Sequence, residues 1–424
     1  MPGAPGKYRV RHAVAHPPAA LRRVARTGYL SSVNRTVLSP NECAALVPEL
    51  AATRNPNVWV YRYTHPTTSW TLSIATHAPP GSGKLSLGGF RIAPLERTES
   101  PGFTTERESI ALAMGMEEKV HWSRVIKVGG PLALRDLTRV VGGKCVLAPT
   151  AESRVGNPRD AEMLIWAAEC LNDCERHAGI HITTGQDLGH GKMHDGAMGS
   201  LEFLNARFAG SVVADTSVPT GEGNYQILHG MLRAFGLPLE RATVGLIGCG
   251  NIGMHIIKRL AAHAGVTILA CESREERRAE LEAMGIRTWG PERKLEFLAL
   301  AMDALVVNAA GGTLDATAIA ACARNARLQV ICGSENLVMP DHHAGVEALR
   351  AAHKVYAPTE LGGMMGYLTA VEQYLAVIEG QRFAVATMLD AAQRLEVAGY
   401  ETTARIVAGG HAEDFETAVT ALYA

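Results

Sequence analysis

The stretch that decides the fold is Val244-Gly-Leu-Ile-Gly248-Cys-Gly250-Asn-Ile-Gly253-Met-His-Ile256. An apolar run leads into it and an amphipathic run leads out, which indicates a strand, a tight turn and a helix. Gly248 permits the turn, Gly250 lets the backbone approach a pyrophosphate, and Gly253 lets helix and strand pack closely. The segment therefore predicts a dinucleotide-binding βα unit.

The residues after the turn extend this prediction. Asn251 and Ile252 open the helix, whose free N–H groups and partial positive charge suit phosphates. The next apolar run, Val266–Ala270, ends near Glu272. Glu272 follows Gly250 at about the 20-residue spacing of a carboxylate that binds ribose hydroxyls. Because such a carboxylate repels a 2′-phosphate, the sequence favours NAD over NADP.

Alternatives to this cofactor remain open at the sequence level. Arg274, Arg277 and Arg278 follow closely and could hold the 2′-phosphate of NADP. The glycines could also merely shape a βα turn, or the fold could bind another nucleotide.

The pattern of apolar and amphipathic runs changes along the chain and indicates two domains. From about residue 240, short apolar runs alternate with amphipathic helical stretches, which is typical of a doubly wound parallel sheet. Earlier residues mix alternating strands, Gly/Pro turns and helices, as an α+β layer does. We predict an α/β protein with an α+β substrate-binding and oligomerisation domain (1–214 with 371–424) and a Rossmann-type domain (215–370).

Composition excludes several classes of function. The 424 residues are 47% hydrophobic and 20% charged, with a formal net charge of −1, so nothing points to nucleic acid or an anionic membrane. An apolar run long enough for a membrane span is lacking. The basic, proline-broken residues 1–30 lack a signal-peptide core and are expected to form a surface arm. Eight cysteines without a C-x-x-C pair predict reduced core thiols, a cytoplasmic location and no metal site.

Three polar residues stand out as candidates for chemistry. Lys144 lies between two glycines and an apolar run, where desolvation would lower its pKa and suit a general base. Asp187 follows a strand-like run and could exchange protons with a nitrogen. Lys119, at the end of a helical stretch, could hold a carboxylate. Taken singly, each also fits an ordinary turn, cap or surface residue.

These residues occur in the order of a known family. The chain resembles the glutamate/leucine/phenylalanine/valine dehydrogenases, nearest the leucine and phenylalanine branch, from about Leu87 to Gln373. The motifs that carry the resemblance are Leu87-Gly-Gly-Phe-Arg91, Gly115-Met-Glu-Glu-Lys119, Gly142-Gly-Lys-Cys-Val146, Gln186-Asp-Leu-Gly189, Gly248-Cys-Gly-Asn-Ile-Gly253, Gly333-Ser-Glu-Asn336 and Val355-Tyr-Ala-Pro358.

The resemblance implies NAD-dependent oxidative deamination of an L-amino acid to a 2-oxo acid, or the reverse reductive amination. It implies that Lys119 pairs with the substrate carboxylate, that Lys144 activates water, and that Asp187 shuttles protons with the amine. The positions it places near the substrate are Gly88, Gly89 and Met116, and those near the cofactor include Ala309 and Asn336.

The chain also departs from the family pattern. The family's three glycines before the catalytic lysine become Val141-Gly142-Gly143, and the two lysines are further apart than usual, which leaves Lys127 as an alternative to Lys119. An asparagine of the family is replaced near Gly363. These changes suggest a rebuilt pocket for an apolar, aromatic or specialised amino acid, partly lined by the adaptable Met364 and Met365.

Two other functions remain open from sequence alone. The scaffold could act on an imine or keto substrate, or it could be a catalytically inactive dinucleotide-binding partner protein. Retention of Lys144 and Asp187 argues against inactivity. A homo-oligomer, a dimer or larger, is expected.

Overall fold

The computed structural model describes residues 34–424, so the predicted surface arm of residues 1–30 lies outside the described residues. The strands are Asn34–Leu38 (β1), Trp59–Thr64 (β2), Thr71–Thr76 (β3), Leu85–Ile92 (β4), Val140–Ala148 (β5), His181–Gly185 (β6), Thr243–Ile247 (β7), Thr267–Cys271 (β8), Arg287–Trp289 (β9), Ala304–Val307 (β10), Val330–Gly333 (β11) and Val355–Tyr356 (β12).

Sixteen α-helices lie within residues 34–424. They are Pro40–Leu46 (α1), Leu95–Thr98 (α2), Thr105–Ile126 (α3), Asp160–Ala178 (α4), Ser200–Asn205 (α5), Ser217–Ala234 (α6), Asn251–Ala261 (α7), Glu275–Ala283 (α8), Lys294–Leu298 (α9), Ala316–Arg324 (α10), His342–Ala351 (α11), Thr359–Gly362 (α12), Met364–Ile378 (α13), Val385–Ala392 (α14), Arg394–Ala408 (α15) and Phe415–Tyr423 (α16).

The first sheet is mixed, in the order β1-β2-β3-β5-β4-β6. Its first four strands pair antiparallel, whereas β5, β4 and β6 pair parallel. Helix α3 packs on β3 and β5. A separate apolar core joins the inward residues of β2–β6 to α4. This arrangement is the predicted α+β layer.

The second sheet is wholly parallel, in the order β12-β11-β10-β7-β8-β9. The strand order reverses at β7, which lies between β8 and β10. In open parallel sheets, ligands bind in the crevice outside the carboxyl ends of the strands at such a reversal. Gly248 directly follows β7 and Asn308 directly follows β10, so both lie at that crevice.

The predicted fold class, an α+β domain beside a doubly wound parallel sheet, is therefore confirmed. The strand predicted to lead into the glycine turn is β7. Among the C-terminal helices, α13 packs on α6 as well as on α3 and β6, and α15 packs chiefly on α6. The domain boundaries stay predictions. Across residues 34–424, helices that combine the length and apolar character needed to cross a membrane are absent.

Candidate active site

A cavity of about 340 Å³ opens between the two sheets. Most of the site residues predicted from the sequence line it, and they come from both domains. Those residues are Gly88, Gly89, Met116, Lys119, Lys144, Asp187, Gly250, Asn251, Ile252 and Asn336. The fold thus brings the two predicted half-sites together around one space.

Lys144 and Asp187 form an ion pair at one wall of the cavity. Lys144 lies on β5 and is 4% exposed, and Asp187 follows β6. The pair crosses directly over Gly89: a Cβ there would lie 3.0 Å from Lys144 Nζ and 3.1 Å from Asp187 Oδ2. The absence of a side chain at Gly89 therefore lets lysine and carboxylate meet at the cavity wall.

Burial and charge set the protonation of this pair. Burial lowers the pKa of Lys144; Asp187 opposes that shift, and the cation of Arg91 adds to it. Burial alone would raise the pKa of Asp187, but Lys144 and Arg91 hold it well below its usual range. The site therefore holds an ionised carboxylate beside an amine that loses its proton more easily than a surface lysine does.

Lys119 lies inside α3 rather than at a helix end, because that helix continues to Ile126. Helix α3 rests on β5 where Gly142 lacks a side chain: a Cβ there would lie 2.3 Å from the Glu117 nitrogen. Lys119 is 6% exposed and donates a 2.8 Å hydrogen bond to Asn336 Oδ1. Burial lowers the pKa of Lys119 to about 8.

The structure places two further sets of residues that the sequence singled out. Lys127, the alternative to Lys119, caps α3 at an exposed site outside the cavity wall, whereas Lys119 lines the cavity. The prediction that Met364 and Met365 line the pocket is wrong. Both side chains are fully buried in the apolar core because α13 turns them away from the cavity, and Gly363 and Gly366 line it instead.

The glycine turn has the form that a dinucleotide requires. Gly248 adopts φ +83°, and a Cβ at Gly253 would lie 2.4 Å from the Gly248 carbonyl oxygen. At Gly250, by contrast, a Cβ would meet only Arg274 Nη2, at 3.9 Å, within open space at the cavity. Helix α7 has no side-chain cap at its N-terminus, so its first N–H groups remain available to an anion.

Glu272 lies under this turn at the end of β8 and is 5% exposed. Its Oε2 accepts from the Cys249 nitrogen at 2.7 Å, and its Oε1 accepts from Arg274 Nε at 3.1 Å. Arg277 pairs with Glu280, and Arg278 donates to the carbonyls of Glu272 and Ser273. All three arginines that could have held a 2′-phosphate are thus engaged by neighbours.

The loops after β10 and β11 complete the nucleotide side. Asn308 and Ser334 line the cavity and share a 2.7 Å hydrogen bond. Ala309, predicted to contact the cofactor, is not part of the cavity wall. Its N–H donates to Glu335, which is 2% exposed and also accepts from the nitrogen and hydroxyl of Thr313. Glu335 therefore fixes the shape of the loop that carries Ala309.

Sequence reasoning missed several residues of the site. Arg91 and Glu335 stand inside the motifs that carry the family resemblance. An arginine amid the apolar residues of β4 was a signal of a buried ion pair, whereas Glu335, in the loop after β11, binds N–H and hydroxyl donors. Asn308, after a buried strand at the switch point, was also detectable. Tyr367 carried no such signal; it lines the cavity because α13 folds back from a distant part of the chain.

Within residues 34–424, groups of three or more His, Cys, Asp and Glu side chains placed to hold a metal ion do not occur. The charged residues that line the cavity are Lys119, Lys144 and Asp187. Apolar surface is contributed by Leu87, Met116 and Ala370, with the ring of Tyr367. The cavity wall therefore combines a cluster of three charged side chains with otherwise uncharged lining residues.

Comparison with known proteins gives a likeness of fold. No protein-family model and no curated protein matches the chain. Among solved structures, the L-tryptophan dehydrogenase from Nostoc punctiforme is 16% identical, with a TM-score of 0.57 over 84% of this chain and 91% of that one. The hetero-hexameric glutamate dehydrogenase from Thermus thermophilus, in its Leu-bound form, is 16% identical, with a TM-score of 0.59 over 93% and 87%. The chain shares the fold of these amino-acid dehydrogenases.

Proposed function

We propose that this protein is an NAD-dependent amino-acid dehydrogenase that oxidatively deaminates a neutral L-amino acid, or runs the reverse reductive amination. The observation that carries the proposal is a single cavity with Lys119, Lys144 and Asp187 on one wall and the uncapped start of α7 on the other. When bound, the nicotinamide cofactor supplies the hydride acceptor.

The roles of the three residues follow from their surroundings. Lys119 binds the substrate α-carboxylate as a buried point charge. Neutral Lys144 takes a proton from the water that attacks the oxidised α-carbon, which its lowered pKa favours. Asp187, held as an anion at the cavity wall, exchanges protons with the substrate nitrogen.

The charge balance of the cavity favours a neutral substrate side chain. With Lys119 engaged by the α-carboxylate and Lys144 paired with Asp187, the described lining holds no further cation for a side-chain carboxylate. A cationic side chain would find only Asp187, which is already paired. Leu87, Met116 and the Tyr367 ring suit an apolar or aromatic group instead.

NAD is the cofactor that we propose. A carboxylate at the end of the second strand suits ribose hydroxyls and repels a 2′-phosphate, and Glu272 stands there. Since the adjacent arginines are bound to Glu272, Glu280 and backbone carbonyls, they support that carboxylate rather than a phosphate. Homo-oligomeric assembly and a cytoplasmic location stay predictions.

The test is a panel of L-amino acids, each with NAD and with NADP, followed by the absorbance of the reduced cofactor. We expect turnover with neutral apolar substrates and NAD, and at least about tenfold less with glutamate. Lys144→Ala should lower turnover by about 10²–10⁴-fold, the usual contribution of a general base. The matched control is Lys258→Ala, at an exposed position of α7. Cofactor binding without turnover on any amino acid or oxo acid would refute the proposal.

A further inference from the structure

Arg91 touches the ion pair from the side opposite the cavity. It lies on β4 two residues after Gly89, so its side chain shares the strand face on which Lys144 and Asp187 meet. Its Nε and Nη2 each donate to Asp187 Oδ1 at 3.3 Å. Arg91 is 7% exposed and does not line the cavity, and its hydrogen bonds to the pair are made to Asp187.

The two oxygens of Asp187 therefore have different partners. Oδ1 accepts from Arg91 and from the Leu188 nitrogen, the latter at 2.6 Å. Oδ2 bonds Lys144 at the cavity wall. Because Oδ1 is fully engaged, the carboxylate cannot rotate without breaking these bonds, and Oδ2 alone is left to work with Lys144 and a substrate nitrogen.

A second carboxylate holds Arg91 in place. Arg91 Nη1 donates to Glu108 Oε1 at 2.7 Å, and Glu108 on α3 is 6% exposed. Glu108 Oε2 in turn accepts from Arg97 at 2.8 Å, whose side chain is 54% exposed. The charges thus alternate from solvent to cavity in the order Arg97, Glu108, Arg91, Asp187, Lys144.

We propose that Arg91 is a positioning residue that fixes Asp187 as an anion with Oδ2 turned to Lys144. The guanidinium also lies near the Lys144 amine, where its positive charge opposes the charged form of that lysine. The role deepens the proposed function, on which it rests. A buried cation beside an amine disfavours the ammonium form, and a lysine left with Asp187 alone would hold its proton more tightly. The positive charge of Arg91 therefore offsets the tendency of the Asp187 carboxylate to keep Lys144 protonated.

Other groups face this pair and are common to the wild-type protein and its Arg91 variants. The titratable and charged groups that face Lys144 and Asp187 from the packed elements, besides Arg91, are Cys145, Lys119 and His190, with Glu360 beside Lys119 and Glu108 beside Arg91. Since a substitution at Arg91 leaves all of them in place, a difference in pH dependence reports the charge of Arg91.

The direct experiment follows the reactivity of Lys144 itself. The wild-type protein is labelled with an amine-reactive reagent across a pH series, and modification of Lys144 is quantified by peptide mass spectrometry. Arg91→Gln should move the midpoint of labelling upward by about one pH unit, the usual effect of one nearby charge. Arg97→Gln, which leaves the Arg91–Asp187 contact intact, should keep the wild-type midpoint.

A second variant keeps the proposal testable where Arg91→Gln does not fold. Glu108→Gln keeps an acceptor for Arg91 but removes the negative charge that balances its guanidinium. The unbalanced positive charge should make Lys144 lose its proton more easily, so the midpoint of Lys144 labelling should move to lower pH. An unchanged midpoint in a folded Arg91→Gln or Glu108→Gln protein would overturn the proposal. The midpoint of the pH dependence of turnover with an amino acid should shift in the same direction as the labelling midpoint in each variant. Because labelling needs no turnover, failure of the dehydrogenase proposal and failure of the Arg91 proposal are distinguishable.

Discussion

Gly250→Ala should separate folding from cofactor binding. Gly250 has φ −65° and ψ −160°, a backbone conformation open to alanine, and the added Cβ would meet only Arg274 Nη2, at 3.9 Å. Replacing glycine at a compatible position stabilises by about 0.4–1 kcal/mol through the unfolded chain. The Tm of the variant should therefore rise slightly or stay unchanged.

Cofactor affinity should fall in the same variant. The methyl group would occupy the space at the start of α7 where a pyrophosphate would approach the uncapped N–H groups. Losing one or more hydrogen bonds to a charged group costs about 1.5–3 kcal/mol, which is about 10- to 100-fold in Kd. Titration of NADH fluorescence measures this directly, with thermal unfolding on the same preparation.

Gly253→Ala provides the contrast. Its Cβ would lie 2.4 Å from the Gly248 carbonyl oxygen, so helix and strand must separate, at a cost of about 1–3 kcal/mol. This variant should lose stability as well as affinity. If Gly250→Ala bound NADH as tightly as wild type, the phosphate site assigned to α7 would be incorrect.

Two further predictions concern Lys119 and Glu335. Because the Lys119 amine is charged only below its pKa of about 8, KM for the amino acid should rise as pH increases through that value. Lys119→Met should raise KM about 10- to 100-fold and abolish its pH dependence, and initial-rate measurements check both effects. Glu335→Gln replaces a buried carboxylate that accepts from Ala309 and Thr313, and urea unfolding should show a loss of about 1–3 kcal/mol. Glu296→Gln, in an exposed pair with Arg293, should change stability by less than about 1 kcal/mol, and an equal effect of both would contradict the bonding of Glu335.

The cofactor half was predictable because its determinants are local. Gly248, Gly250 and Gly253 lie within one turn and the start of one helix, where Gly248 and Gly253 leave no room for a side chain and Gly250 borders open space. Glu272 follows one strand later in the same parallel sheet. Because these residues lie close together in the sequence, their spacing alone predicts the turn after β7, where the strand order reverses.

The Lys144–Asp187 ion pair was predictable in part. Lys144 and Asp187 could be selected singly, but their contact depends on β4, which places Gly89 between them. The role of Arg91 depends on two partners, Glu108 on α3 and Asp187 after β6, that only tertiary packing brings to it. Periodicity within a segment carries no information on such pairings.

Gly363 and Lys119 show why the substrate half needed the structure. A Cβ at Gly363 would lie 3.2 Å from Lys119 Cε and Nζ, so the lysine occupies the space beside this glycine. The amide that contacts Lys119 belongs to Asn336, 217 residues away in the chain. Because Lys119 lies on α3 and Asn336 in the loop after β11, this hydrogen bond links the helix that covers the first sheet to the parallel sheet. Gly363 and the amide of Asn336 thus meet at one lysine, a juxtaposition that only the three-dimensional structure reveals.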